Sequence, residues 1–77
     1  MSEIKVLLAD DHPVVRKGIR NILDEAVGIQ VTGEASSGDE VLRLVAQLSP
    51  DVLLLDMELP DMNGNQVICE LKSCLVI

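Results

Sequence analysis

The run Val52-Leu53-Leu54-Leu55, ending in Asp56, narrows the folds open to this chain more than any other stretch. Pro50 bounds it on one side, and Met57-Glu58-Leu59-Pro60-Asp61-Met62-Asn63-Gly64 follows it with turn-forming residues. A short apolar run between such breakers reads as a strand buried on both faces, the habit of parallel sheets. In open α/β sheets ligands bind beyond the carboxyl ends of the strands. Asp56 stands at that end, which makes it the candidate reactive residue.

The flanking pattern supplies the partners of that strand. Ile4-Lys5-Val6-Leu7-Leu8-Ala9 reads as a first strand running into Asp10-Asp11, and His12-Pro13 opens a helix. Proline suits a first helical turn, and an aspartate just before it can cap the free N–H groups. Val15, Ile19, Ile22, Leu23 and Ala26 recur at helical spacing and predict one buried stripe, with Gly28 as a stop signal. Residues 29–35 read as a second strand with one wetter face, suited to a sheet edge. Ser37 and Glu40 have capping-box spacing at the head of a second helix with Val41, Leu44, Val45 and Leu48 on its inner face. After the Asp56 loop, Val67, Ile68 and Leu71 outline a third helix, and Cys74–Ile77 either begin a fourth strand or extend that helix. The order β-α-β-α-β-α implies a parallel sheet with right-handed crossovers.

Composition excludes several classes. With 77 residues there is one domain at most, and such a chain buries only about 60% of its unfolded surface. Phe, Tyr and Trp are all absent, so the core must be built from aliphatic residues and methionine. A net charge of −7 argues against nucleic-acid binding by this segment, since phosphate recognition needs a basic patch. No signal peptide or membrane-length apolar run is present, which predicts a cytoplasmic protein. Cys69 and Cys74 fit no metal motif and are expected to stay reduced there.

The chemistry resides in the acids. If the first and third strands are adjacent and parallel, Asp10, Asp11 and Asp56 converge at one end of the sheet. Like charges so close raise one another's pKa values unless a cation offsets them. Mg²⁺ takes one or two carboxylates and keeps waters that a phosphate can replace. The residues thus predict a Mg²⁺ pocket beside a carboxylate nucleophile. Each aspartate alone is an ordinary cap or strand end, and the combination carries the reading. His12 beside Pro13 reads as a turn residue rather than a metal ligand. Met57, Leu59 and Met62 read as packing residues.

Asp10-Asp11 followed by His12-Pro13-Val14-Val15-Arg16-Lys17-Gly18-Ile19 resembles a receiver domain of two-component response regulators. The likeness is to the subfamily with a helix-turn-helix output domain. The segment from Asp56 to Gly64 is similar to that family's phosphorylation loop, with Pro60 four residues and Gly64 eight residues beyond the aspartate. The resemblance covers residues 3–72 and makes residues 1–77 the N-terminal part of a flavodoxin-like, doubly wound receiver domain, incomplete, with room for a fourth strand. It implies that Asp56 accepts a phosphoryl group from a sensor histidine kinase. It also implies that Asp10, Asp11, Asp56 and the Glu58 backbone carbonyl hold Mg²⁺, and that the parent protein regulates transcription without being an enzyme.

In this family a fourth strand ends in Ser or Thr and a fifth carries Lys, and the chain reaches Ile77 before either. Lys72, expected in the third helix, is no substitute for that lysine. The bare sheet edge and the face under Val15, Ile19 and Ile22 then predict a homodimer that shares an edge or exchanges an element. The competing reading is a dimerising structural fragment without phosphotransfer. A small Mg²⁺-dependent phosphatase is disfavoured, because position 58 holds Glu where that chemistry needs a second aspartate.

Overall fold

The structure, a computed structural model, describes residues 3–71 and 75–77. Its elements alternate as read from the sequence: β1 (Ile4–Ala9), α1 (Pro13–Glu25), β2 (Ile29–Ala35), α2 (Gly38–Leu48), β3 (Val52–Leu55), α3 (Gly64–Glu70) and β4 (Leu75–Val76). The four strands form one parallel sheet in the order β2-β1-β3-β4. The tail is therefore a strand and not an extension of α3. Cys74 and Lys72, to which the sequence reading gave places in that tail and in α3, lie outside the described residues.

Connection direction places the helices. The chain moves outward from β1 to β2, then back across β1 to β3 and on to β4. Right-handed crossovers then put α1 on one face and α2 and α3 on the other. Strand alternation divides the apolar residues accordingly. Leu7, Ala9 and Leu53 pack with Val41 and Val45 of α2 and Val67 of α3 in the core, joined by Ala35 and Leu59. Leu8 and Leu54 face the other way, toward Ile19.

That second face is thinly covered. No residue of α1 is buried; Val15 is 48% and Ile22 71% exposed, against the buried stripe expected of them. The physical reason is that α1 alone covers its side of the sheet among the described residues. Beside it a cavity of about 360 Å³ opens between Ile19, Leu8, Leu54 and Ile77. β3 shows the same asymmetry. Leu53 is fully buried on the α2–α3 side, whereas Leu54 is only half-buried.

Local signals place most boundaries. Ser37 caps α2 by accepting the Glu40 N–H at 3.2 Å, but the Glu40 carboxylate turns to Ser36 instead of closing the box. A complete capping box sits at α3, between Asn63 and Gln66. α1 stops at Glu25, and Gly28 then takes φ +86°, a turn into β2 that glycine adopts without steric cost. β2 is an edge strand as expected, with a register shift opposite Val6 and Leu7. Among the described residues no helix is long and apolar enough to cross a membrane. Cys69 is a free, exposed thiol.

Candidate functional site

Register brings the acids together. Ala9 pairs with Leu55, and the Asp56 N–H donates to the Ala9 carbonyl at 2.9 Å. The residue after each strand, Asp10 or Asp56, therefore emerges at the same level of the sheet. On the other side of β1 the Asp10 N–H donates to Ala35 at 3.0 Å. Asp10 is buried, while Asp11 and Asp56 are partly exposed. Carboxylate oxygens of all three and a ring nitrogen of His12 lie within 4.8 Å of one another.

His12 is the member of the cluster that the sequence reading missed. It is indeed a turn residue, the N-cap of α1, and neither it nor an aspartate supplies a side-chain cap there. Its backbone N–H goes to Asp10 Oδ1 at 2.8 Å, and its ring follows. Nδ1 lies 2.9 Å from Asp10 Oδ1, 3.0 Å from Asp11 Oδ1 and 3.6 Å from Asp56 Oδ2. A clue was present in the sequence, since a histidine immediately after paired acids is the cheapest local counter-charge. The turn assignment concealed it.

Electrostatics follow from these contacts. The hydrogen bond to Asp10 and the nearby Asp11 charge hold the His12 imidazole above its ordinary pKa. Burial alone would push the Asp10 carboxyl up, but the His12 backbone N–H and ring outweigh it and hold Asp10 below the usual range. Mutual elevation of the acids, expected from the sequence, is thus reversed at Asp10 by a neighbouring donor. His12 Nδ1 is hydrogen-bonded to Asp10 Oδ1, and Asp11 Oδ1, near the same nitrogen, is left buried without a hydrogen bond among the described residues. An orphaned carboxylate oxygen is costly unless a cation or donor meets it. The donor set, three carboxylates with one oxygen unsatisfied, fits a hard divalent cation.

Glu58 is exposed. Its tie to the cluster is a backbone N–H donated to Asp56 Oδ1 at 3.0 Å, and its side chain is not among the clustered donors. Around the site, Arg16 donates to the Asp10 carbonyl at 2.6 Å and to Glu34 Oε1 at 2.9 Å. Arg20 also pairs with Glu34, and the two guanidinium groups hold its carboxyl low. This network fastens the head of α1 to the edge strand behind Asp10.

Comparisons with known proteins agree with the fold. Residues 6–74 match the family model described as the response regulator receiver domain. The chain belongs to the receiver domain family. Among curated proteins it is 42% identical over 68 residues to the nitrate/nitrite response regulator protein NarL of Escherichia coli K12, covering 88% of this chain and 32% of that protein. It is 49% identical over 61 residues to the transcriptional regulatory protein LiaR of Bacillus subtilis, covering 79% of this chain and 29% of the relative. The chain thus spans about a third of the length of these relatives. Its fold matches the response regulator domain of Thermotoga maritima CheB with a TM-score of 0.86 at 31% identity, over 96% of this chain and 57% of that one. A LuxR-family two-component response regulator from Aurantimonas sp. SI85-9A1 superposes with a TM-score of 0.81 at 35% identity, over 86% and 47%. The flavodoxin-like architecture stands on these likenesses and on the sheet order.

Proposed function

We propose that this receiver chain accepts a phosphoryl group on Asp56 from a phosphohistidine of a sensor histidine kinase, within a protein that regulates transcription. The observation that carries the reading is the meeting of Asp10, Asp11 and Asp56 at the carboxyl edge of β1 and β3, with Asp11 Oδ1 unsatisfied. Mg²⁺ would be held by Asp10, Asp11, Asp56 and the Glu58 backbone carbonyl, and when bound it would offset charge on the phosphoryl oxygens.

The chain's own groups divide the remaining work. The Glu58 N–H engages Asp56 Oδ1, which leaves Oδ2, whose nearest cationic neighbour is the His12 ring at 3.6 Å, as the oxygen that would form the bond to phosphorus. As that bond forms, the P–N bond of the phosphohistidine breaks and its electron pair returns to the imidazole, which takes up a proton. Asp10, anchored through its backbone to β2 and through its carboxylate to His12, keeps the acidic wall in place. Positioning and charge compensation are what phosphoryl transfer asks of a protein.

The test uses Mg²⁺ and a small phosphodonor such as phosphoramidate, with intact-mass spectrometry as the readout. A gain of one phosphoryl group that Asp56→Asn abolishes is expected. No gain in the unmodified chain would leave only the reading of a dimerising fragment. Two features favour self-association alongside the signalling role. No strand pairs with the outer edge of β4 among the described residues, and Val14, Val15 and Ile22 of α1 present apolar surface to solvent. Sedimentation velocity at micromolar concentration is expected to show a homodimer, and a monodisperse monomer would remove that part of the reading.

A further inference from the structure

The loop between β3 and α3 is moored to the start of α2. The Asp61 carboxylate accepts the backbone N–H groups of Gly38, at 2.7 Å, and Asp39, at 2.9 Å, the first two residues of α2. Met62 packs against Gly38, where a Cβ would run into its side chain. We propose that Asp61 is a positioning residue for the Asp56–Glu58 turn, holding the loop against α2 so that the Glu58 backbone stays in place beside Asp56. The proposal rests on the reading of Asp56 as phosphoacceptor.

Three observations connect the mooring to the site. First, α2 already has a cap of its own, because Ser37 accepts the Glu40 N–H. A second cap reaching across from residue 61 therefore joins two segments rather than merely starting a helix. Second, the loop is closed on itself. Glu58 bridges to Asn63, and the Gly64 N–H donates to the Met57 carbonyl at 2.9 Å. Displacing residues 61 and 62 therefore drags residues 57 and 58. Third, the near end of that closed loop is the Glu58 N–H on Asp56 Oδ1. Leu59, 7% exposed, is the remaining anchor between the two ends. The donors at Gly38 and Asp39 also hold the Asp61 carboxyl below its ordinary range, so the tether is charged at neutral pH.

The experiment compares the unmodified chain with Asp61→Ala and Asp61→Asn by amide NMR and by Mg²⁺ titration calorimetry. Calorimetry is suitable because the chain has no aromatic reporter. In Asp61→Ala the Gly38 and Asp39 amides are expected to exchange faster. The Glu58 amide should shift and exchange faster with them, and Mg²⁺ affinity should fall several-fold in the folded protein. Asp61→Asn keeps one acceptor oxygen and should recover most of the loss. Changes confined to Gly38 and Asp39, with the Glu58 amide and Mg²⁺ affinity unmoved, would reduce Asp61 to a helix cap and overturn the proposal. If Asp61→Ala does not fold, Asp61→Leu, similar in shape to aspartate and without an acceptor for the Gly38 and Asp39 amides, decides by the same comparison. Failure of the unmodified chain to bind Mg²⁺ would strike the metal reading of Asp56, and the Glu58 amide would still decide the tether.

Discussion

Millimolar Mg²⁺ is expected to raise the melting temperature of this chain by on the order of 10 °C or more, and Asp11→Ala to abolish the rise. The three carboxylates meet only when β1 and β3 are paired, so the cation has its site in the folded state alone. A ligand at about a hundredfold excess over its Kd then adds about 2.7 kcal/mol. Each kcal/mol moves the melting temperature of a domain this small by about 4–8 °C. Without metal, and at a pH high enough for His12 to be neutral, Asp11→Ala should be the more stable protein, by on the order of 1 kcal/mol, because it removes a buried oxygen that accepts no hydrogen bond among the described residues. Thermal denaturation followed by far-UV circular dichroism, with and without Mg²⁺, reads both effects. A variant that loses stability in both conditions would show that Asp11 supports the fold rather than a cation.

Affinity for Mg²⁺ should fall steeply as the pH drops through the neutral range, approaching tenfold per unit once His12 carries its proton. The imidazolium faces the same oxygens that would meet the cation, and a bound metal must displace or discharge it. The two consequences of the raised His12 pKa run in opposite directions. For the metal-free fold, attraction between imidazolium and acids is fully present below the ordinary pKa of histidine, about 6.5. It is lost as the pH rises through the higher folded value. For the Mg²⁺ complex, that same rise in pH removes the competitor. His12→Asn should flatten the pH profile of Mg²⁺ affinity between pH 6 and 8 without unfolding the chain, since asparagine is a good N-cap at a position that now has no side-chain cap. Titration calorimetry at several pH values measures it. An unchanged slope in His12→Asn would place the controlling group elsewhere.

Much of this architecture could be read from residue pattern, because the deciding signals are local. The apolar run from Val52 to Leu55 identified β3, Pro13 marked the start of α1, and Ser37 announced α2. The two acid-bearing strand ends followed from the apolar runs and the acids after them, while the adjacency of β1 and β3, on which their meeting was conditional, came from the sheet order. What escaped the reading was non-local. Val15 and Ile22 have the spacing of a buried stripe, and only the sheet order shows that nothing described flanks α1. The direction of the Glu40 side chain depends on Ser36, a residue outside the motif that suggested the box. His12 was legible as a turn, but its ring orientation depends on where Asp10 and Asp11 point once Ala35 has fixed the strand end. The contact of Asp61 with Gly38 crosses two elements and has no sequence signature.

The placement of β1 between β2 and β3 also governs how the site comes into being. Pairing β1 with β2 joins segments separated by one helix, whereas pairing β1 with β3 must close a loop that already contains β2 and both of its flanking helices. Loop-closure entropy grows only slowly with length, so the penalty is affordable, but non-local pairings form late. Both ends of that seam carry a polar fastening: Lys5 N–H on the Asp51 carboxylate at one, Asp56 N–H on the Ala9 carbonyl at the other. No acid pocket can therefore exist in a partly folded chain that has only its first β-α-β unit. During synthesis or refolding, the appearance of cation affinity would mark the moment at which the third strand docks.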